Sequence, residues 1–356
     1  MLEILDLCMR IGSFELKSIR FMVERGDYFV VLGSSGVGKT LLLETIAGLV
    51  LPSSGKILLR GKDITFEKIQ NRHLSIVYQD SDLFPHLSIY DNIAYPLRCR
   101  GDKQIDGKVN AAALQTGIAD KLGRKPETLS GGEYQRAALA RSLAADSDLF
   151  LLDEPLSSLD AGARNDLRGL LRGLNRSGIT MVHVTHDYEE ALALATRIGV
   201  MENGRLVQVA APREIFRHPR SEFVARFVGI KNYLRGTLRP VVGSDLKEFS
   251  SNGIKILCLA DVPEGDAFLI IRHEKITIGN TIEASCCNRF AGVIRDIIPS
   301  KLGLEVTVDI GIELVVGASE VVLRSLDLGV GKQVWVGFNA SACSVYADDA
   351  RLNTVS

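Results

Sequence analysis

Cysteine is scarce in this chain of 356 residues: six, at positions 8, 99, 258, 286, 287 and 343, without regular spacing and with one vicinal pair. That pattern does not fit a disulfide framework and predicts a reduced, cytosolic setting. Histidine is as rare, and the closest pair, His183 and His186, lies at the strand-like run Thr180 to Thr185. A separation of three residues along a strand turns two side chains to opposite faces, so no zinc pair is expected there. Long hydrophobic runs are missing. Leu41-Leu42-Leu43 ends at Glu44, and Met1-Leu2-Glu3-Ile4 has no basic region followed by an apolar one. Neither a transmembrane helix nor a secretory signal is therefore expected. Nor is either charge in excess. Lys and Arg number 42 against 43 Asp and Glu, a net of −1, which gives no reason to expect a polyanionic partner or an electrostatic membrane anchor. What is present is apolar mass, 46% of residues, enough at this length for two or three cores and more than one domain.

One segment stands out. Gly33-Ser34-Ser35-Gly36-Val37-Gly38-Lys39-Thr40 follows the apolar run Tyr28 to Leu32 and opens the apolar run Leu41 to Ala47. Strand, glycine loop and helix in that order make a cradle for nucleotide phosphates. The glycines let backbone N–H groups turn inward, and the helix N-terminus adds partial positive charge. Lys39 supplies a mobile cation for the β- and γ-phosphates, and Thr40 a hydroxyl for Mg²⁺. Taken alone, the loop says that a nucleoside triphosphate binds.

Two further clusters narrow the class. Leu129-Ser130-Gly131-Gly132-Glu133 precedes Gln135 and Arg136, and Leu149-Phe150-Leu151-Leu152-Asp153-Glu154-Pro155 is a short apolar run ending in two carboxylates. The second of these predicts a buried parallel strand that delivers acids to its C-terminal edge, beside the phosphates. Asp153 then joins the Mg²⁺ shell while Glu154 orients and polarises the attacking water. Ser130 and Glu133 also have capping-box spacing, so an ordinary helix start accounts for the first cluster equally well.

With the three clusters in this order, the chain resembles the ATP-binding cassette family of transporter ATPases over roughly residues 1 to 228. The resemblance implies that Leu129, Ser130, Gly131, Gly132 and Glu133 are the signature motif, which completes the ATP site of the opposite subunit of a homodimer. Gln79, between Tyr78 and Asp80, matches the glutamine loop and is implied in catalysis and Mg²⁺ binding. Ser157-Ser158-Leu159-Asp160 matches the loop after the third cluster, with Asp160 at the dimer contact, and His186 in Val184-Thr185-His186-Asp187 matches the switch histidine. The family usually stacks an aromatic residue on adenine near the N-terminus. Here the segment is Ile11-Gly12-Ser13-Phe14, and Phe14 is either that platform or a core-facing strand residue. In Asp80-Ser81-Asp82-Leu83-Phe84-Pro85-His86-Leu87, the apolar Leu83 and Phe84 fall where the family meets the coupling helices of a permease; the alternative is that Phe84 caps the helical subdomain.

The fold expected is α/β, a P-loop ATP-binding cassette with an antiparallel β subdomain and a helical subdomain over about 80 to 145. Antiparallel strands are predicted around Ile19, Phe21 and Val23 and from Lys56 to Arg60. Thr180 to Thr185, Tyr188 to Thr196 and Ile198 to Glu202 read as strand, helix and strand of a parallel sheet. From 229 to 356 the texture changes to short β runs with turn residues. A weak repeat pairs Gly236-Thr237-Leu238-Arg239 with Gly292-Val293-Ile294-Arg295. It also pairs Gly265-Asp266 and Phe268-Leu269-Ile270-Ile271 with Gly331-Lys332 and Val334-Trp335-Val336-Gly337. Two small barrels in tandem, five-stranded and like oligonucleotide-binding (OB) folds, are expected. Residues 230 to 356 carry 13 Lys and Arg against 15 Asp and Glu, which argues against nucleic acid.

The tail is similar to the regulatory domain of importer ATPases, of the transport-associated OB (TOBE) type, especially those for molybdate or tungstate. Phe227-Val228-Gly229-Ile230-Lys231-Asn232 and Arg272-His273-Glu274-Lys275-Ile276 carry the likeness, with His273 where proline is usual. Ala284-Ser285-Cys286-Cys287-Asn288, before the strand Gly292 to Ile297, looks like the start of a small molybdate-binding barrel. Ser285, Asn288 and Ser341 are its candidate oxyanion donors. Cys287 stands where an arginine, and Asn339 where a lysine, is expected, which predicts weak oxyanion binding.

The resulting reading is the ATP-hydrolysing subunit of an importer, with ATP and Mg²⁺ as cofactors, peripheral on the cytoplasmic face of the membrane. Its implied partners are a second copy of itself, an integral-membrane permease, and a periplasmic or extracellular substrate-binding protein acting through that permease, with no nucleic acid. Molybdate or tungstate is the expected substrate. Sulfate, ferric ion, polyamine or sugar are the alternatives, because the ATPase half carries no substrate information. A soluble non-transport cassette ATPase fits less well with one cassette and a β tail. A degenerate oxyanion store fits less well with Lys39, Asp153, Glu154 and His186 all present.

Overall fold

Alternating apolar and polar residues at the start of the chain build two long antiparallel strands, β1 (Leu2–Ile11) and β2 (Phe14–Val23). Their inward residues Leu2, Ile4, Leu7, Leu16, Ile19 and Val23 are fully buried. The computed structural model describes residues 1–12, 14–79, 83–300 and 303–347; of the segment singled out above, Asp80, Ser81 and Asp82 lie outside the described residues, as does Ser13. The chain divides into two units, Met1–Pro219 and Arg220–Ser356.

In the first unit the order continues β3 (Tyr28–Leu32), α1 (Lys39–Ala47), β4 (Ser54–Leu59), β5 (Lys62–Asp63), β6 (Leu74–Val77), α2 (Ile89–Cys99), α3 (Ile105–Thr116), α4 (Gly131–Ala144) and β7 (Leu149–Asp153). It closes with α5 (Ala161–Arg176), β8 (Thr180–Thr185), α6 (Tyr188–Leu194), β9 (Arg197–Glu202), β10 (Arg205–Ala210) and α7 (Pro212–Arg217). One sheet is antiparallel, β2-β1-β4-β5; the other, β10-β9-β3-β8-β7-β6, is parallel except for β10. Every residue of β3, β7 and β8 is buried, as continuous apolar strands covered on both faces should be. These three neighbours end at one edge of the sheet, which is where the site is built. Between β6 and β7 the helices α2, α3 and α4 pack on one another. Local chemistry fixes the helix starts: Ser88 caps α2, Ser130 caps α4, Asp160 caps α5 and Asp187 caps α6. Among the described residues no helix is long and apolar enough to cross a membrane.

The second unit begins with α8 (Glu222–Phe227), followed by β11 (Asn232–Pro240), β12 (Lys247–Ser251), β13 (Ile254–Cys258), β14 (Gly265–Ile271) and β15 (Thr277–Gly279). Then come β16 (Asn288–Ser300), β17 (Gly303–Asp309), β18 (Glu313–Ala318), α9 (Glu320–Ser325), β19 (Gln333–Phe338) and β20 (Cys343–Ala347). They form two five-stranded sheets, β13-β12-β11-β14-β20 and β15-β19-β16-β17-β18. The sheets have one topology but do not follow each other along the chain as a tandem arrangement would. Each repeat sends its fifth strand to the other sheet: β15 leaves the first repeat to pair with β19, and β20 leaves the second to pair with β14. Reciprocal clamps accompany the exchange. Asn232, opening β11, holds both backbone polar groups of Val315 in β18 (2.7 and 2.8 Å), and Asn288, opening β16, holds both of Leu257 in β13 (2.8 Å each). One apolar core is shared by both sheets, with Leu238, Phe249 and Leu269 from one and Ile294, Val308 and Val336 from the other. Register also corrects the repeat. Gly236 pairs with Ala267 and Gly292 with Val334, so Phe268 corresponds to Trp335, one residue on from the alignment that the Gly265 and Gly331 turns suggest.

Candidate active site

The strand β3 runs straight into the loop 33–38, and two glycines there are required by space. A Cβ on Gly33 would come within 2.7 Å of the Met201 carbonyl oxygen, and one on Gly38 within 2.4 Å of the Phe14 ring. Gly38 is also the N-cap of α1, with φ 100°, and no side chain caps that helix. The first N–H groups of α1 are therefore left for a ligand, at the end of the helix dipole that favours an anion. Phe14 is half-buried and packs on the core as well as on Gly38, which matches the core-facing reading of that residue.

Lys39 is buried, with 5% of its surface exposed, and its Nζ donates to the Gly33 and Ser34 carbonyls at 2.8 and 3.0 Å. The same Nζ lies 3.6 Å from Glu154 Oε1. Burial pulls the Lys39 pKa down and the Glu154 and Asp153 carboxylates pull it back. Thr40 donates its hydroxyl to Asp153 Oδ1 at 3.1 Å, so the ends of α1 and β7 share one pair of oxygens. Burial raises the Asp153 pKa, and the Thr40 hydrogen bond is the largest opposing effect. A hydroxyl beside a carboxylate is a hard-oxygen donor set, which fits Mg²⁺.

Glu154 follows β7 with φ 43°, a left-handed conformation rare for a residue with a side chain; its N–H is bonded to the Val184 carbonyl of β8 at 3.0 Å. One carboxylate oxygen faces Lys39 while the other, Oε2, lies 2.9 Å from His186 Nδ1. His186 sits just past β8 with its side chain 51% exposed. The structure thus joins Lys39, Thr40, Asp153, Glu154 and His186 in one chain of contacts. No described contact joins the exposed Gln79 to this chain of contacts; its backbone carbonyl accepts from Gln135 Nε2 of α4 at 2.8 Å. The Leu129–Glu133 segment forms a complete capping box: Ser130 Oγ accepts from the Glu133 N–H, and Glu133 Oε2 from the Ser130 N–H. It lies beside the Asp160 loop, with a Cβ on Gly131 or Gly132 falling 3.3 Å from Leu159 or 3.2 Å from Ala163. Asp160 Oδ1 accepts from Gly162 and Ala163.

The family model described as ABC transporter matches residues 16–157. The molybdate/tungstate import ATP-binding protein of Pyrococcus abyssi is 38% identical over 353 residues, covering 97% of this chain and 100% of the relative. That of Pyrococcus horikoshii is 39% identical over 360 residues, with the same coverage. This chain is an ABC importer ATPase. Other importers are also similar to it: the spermidine/putrescine import ATP-binding protein of Pseudomonas aeruginosa is 42% identical over 293 residues, covering 80% of each chain.

Elsewhere in this ABC importer ATPase, the structure departs from what the sequence suggested. Leu83 is 4% exposed, so its side chain belongs to the core and not to a docking face. The Phe84 ring is only half-buried, against Tyr95 at 4.7 Å and beneath the Arg141 guanidinium at 5.6 Å. In the tail, Asn288 has both polar atoms of its amide on Leu257, which leaves it a strand clamp rather than an oxyanion donor. Ser285 donates to Glu283, and Ser341 is exposed in a turn beside Ala340, whose N–H donates to Cys287 Sγ at 3.1 Å. The segments around 287 and 340 are brought together, while the Ser285 and Asn288 side chains bond elsewhere.

Two buried polar residues were not legible as part of the site. Arg72 is 1% exposed and donates to the carbonyls of Thr45, Ile46, Thr65 and Glu67 at 2.8 to 3.1 Å. It neutralises the C-terminal end of the phosphate-loop helix and ties it to the segment leading to Gln79. Gly48, at φ 88°, makes room, since a Cβ there would lie 2.5 Å from the guanidinium. His183 is wholly buried, with Nδ1 3.0 Å from the Tyr28 hydroxyl and Nε2 3.9 Å from Glu190 Oε2. Glu190 in turn accepts from Thr185, so this group stands directly behind the His186 loop. Burial pulls the His183 pKa down to about 3. Below about pH 6.5 an unfolded chain binds a proton that the folded one refuses, so stability should fall as pH drops towards 3. Compared with a His183→Phe variant, the loss should approach about 1.4 kcal/mol per pH unit, read from urea midpoints at pH 7, 6 and 5. Parallel shifts in the two proteins would reject His183 as the source.

Proposed function

We propose that this chain is the ATP-hydrolysing subunit of a molybdate or tungstate importer, acting as a homodimer beneath a membrane permease at the cytoplasmic face. The observation that carries the substrate is the extent of the match. The molybdate/tungstate import proteins of the two Pyrococcus species align with 97% of this chain, including most of the second unit, against 80% for the polyamine relative; that of Thermococcus kodakarensis aligns with 63%, at 48% identity. The second unit is then an OB-like regulatory domain of the TOBE type.

Lys39 and the N–H groups of the loop and α1 hold the triphosphate. Thr40, Asp153 and Gln79 would hold Mg²⁺, which when bound neutralises charge on the phosphates. Glu154 takes the proton of the attacking water, and His186, on its other oxygen, keeps the carboxylate aimed. Leu129–Glu133 and Asp160 of one subunit close the site of the other. The test is reconstitution with the permease and its binding protein in vesicles. ATP hydrolysis should rise with molybdate- or tungstate-loaded binding protein and not with sulfate; stimulation by sulfate or a polyamine alone would reassign the substrate.

Docking to the permease is assigned to Phe84, whose ring is partly open. Phe84→Asp should leave hydrolysis by the isolated subunit intact and abolish its stimulation by the permease, because a buried unpaired charge opposes the interface. Equal co-purification of mutant and wild type with the permease would discard this assignment.

The tail should bind oxyanion weakly. Charge-assisted hydrogen bonds are roughly twice as strong as neutral ones, and each cation absent at Cys287 and Asn339 weakens binding by about 1.5–3 kcal/mol. Arg289, two residues on from Cys287, is proposed to compensate for one. Calorimetry of the full chain with molybdate, and sulfate as control, decides the point: micromolar or tighter affinity would show that the missing cations do not matter.

A further inference from the structure

The duplicated sheets of the second unit provide an internal control for one another. In the first, Phe268 is covered by two rings of its own chain, Tyr233 at 5.0 Å and 24° and Tyr346 at 5.1 Å and 26°, and is left 4% exposed. Its counterpart in the second sheet is Trp335. Tyr346 pairs directly with Phe268, and the residue paired in the same way with Trp335 is Gly279. Tyr233 stands one place after Asn232, and the residue one place after the equivalent Asn288 is Arg289. Arg235, opposite Phe268, becomes Ala291, opposite Trp335. Both covering rings are therefore gone, and Trp335 is 42% exposed.

What replaces them is space. A groove of about 530 Å³ lies over Trp335, lined also by Asn280, Ala291, Val293, Asp309 and Gln333. That volume is in the range of small-molecule sites. The one carboxylate in this lining, Asp309, is already paired with Arg295 at 2.6 Å, so the groove presents amides and an indole face rather than an unmatched charge. Among the described lining residues an oxyanion finds no cation, whereas a flat ring with a hydrogen-bonding edge finds a stacking surface and the carboxamides of Gln333 and of Asn280, whose Nδ2 also donates to the Leu326 carbonyl at 3.4 Å.

We propose that this groove binds an uncharged, fused bicyclic heteroaromatic molecule of purine or pterin size, stacked on Trp335 where the first repeat stacks its own tyrosines. The inference is independent of the transported substrate. Trp335 is the only tryptophan in the sequence, so its emission reports the groove directly. Full-length protein titrated with guanosine, adenosine and neopterin should show saturable quenching by at least one of them, with a matching heat in calorimetry. Gly279→Tyr, which places a ring where Tyr346 lies in the first repeat, should weaken binding at least about tenfold, the scale of one lost stacking partner. ATP hydrolysis by that variant should be unchanged. Ala291→Arg, which restores the residue of the first repeat, blocks the same groove and serves if Gly279→Tyr does not fold. No quenching by any of the three probes up to millimolar concentration would overturn the proposal. So would quenching that survives both substitutions, or emission that shifts with protein concentration alone and so shows a second copy covering Trp335.

Discussion

Glu154→Gln should stop ATP turnover, lowering it by at least about 10²–10⁴-fold, the usual scale for removal of a general base, while leaving nucleotide binding in place. The substitution preserves shape. Its amide can still reach His186 and occupy the left-handed turn, but it cannot accept the proton of the attacking water. Lys39 keeps its contacts to the Gly33 and Ser34 carbonyls and, of its two carboxylate neighbours, retains Asp153. The phosphate cradle is therefore untouched, and the variant should accumulate as an ATP-bound dimer on size-exclusion chromatography because hydrolysis no longer releases the closed state. Phosphate release at the wild-type rate would remove Glu154 from the mechanism.

Lys39→Ala and Ser130→Arg chains should each be inactive alone and recover ATPase activity when mixed. The reason is geometric. If Ser130 acts on the nucleotide of the opposite subunit, a mixed dimer holds one doubly damaged site and one intact site. Lys39 is the only side-chain cation in contact with the phosphate-loop carbonyls among the described hydrogen bonds, so its loss removes the charge that meets the phosphates. Ser130 lies at the mouth of α4, exposed, and its hydroxyl also caps that helix. Ser130→Asp, which retains a capping oxygen but adds a negative charge facing the phosphates, should behave like Ser130→Arg in the mixture and so separates the shared-site role from the cap. Absence of recovery in samples where heterodimers are shown to form would count against a shared site.

Residue order alone made the nucleotide cradle legible because its chemistry is local. Gly33 to Thr40 must be contiguous for N–H groups to converge, and the run Leu149 to Leu152 must be apolar for Asp153 and Glu154 to leave its end beside them. The strand over Thr180 to Thr185 was equally legible, since a short β-branched run followed by a helix and another strand has the alternation of a parallel sheet. The Leu83 and Phe84 pair shows the limit. Both are apolar and adjacent beside a proline, and nothing in their order says that one turns inward to 4% exposure while the other does not. Arg72 misleads in the same way, because a lone arginine in a polar segment reads as solvated and only the converging carbonyls of two separate segments, the end of α1 and Thr65 to Glu67, make it a buried cap.

The sequence by itself determined the class of chemistry, the order of the motifs and the presence of a duplicated β-rich tail, since each rests on residue identities a few positions apart. Tertiary structure alone decided which carboxylate oxygen meets Lys39 and which meets His186, because that depends on the φ of 43° at Glu154 and on two neighbouring strands ending together. It also decided that the repeats exchange their fifth strands and that Trp335 is open where Phe268 is covered. Strand pairing depends on hydrogen-bond register across 78 residues of chain, from Phe268 to its partner Tyr346, and no local pattern encodes which sheet an isolated five-residue strand will join.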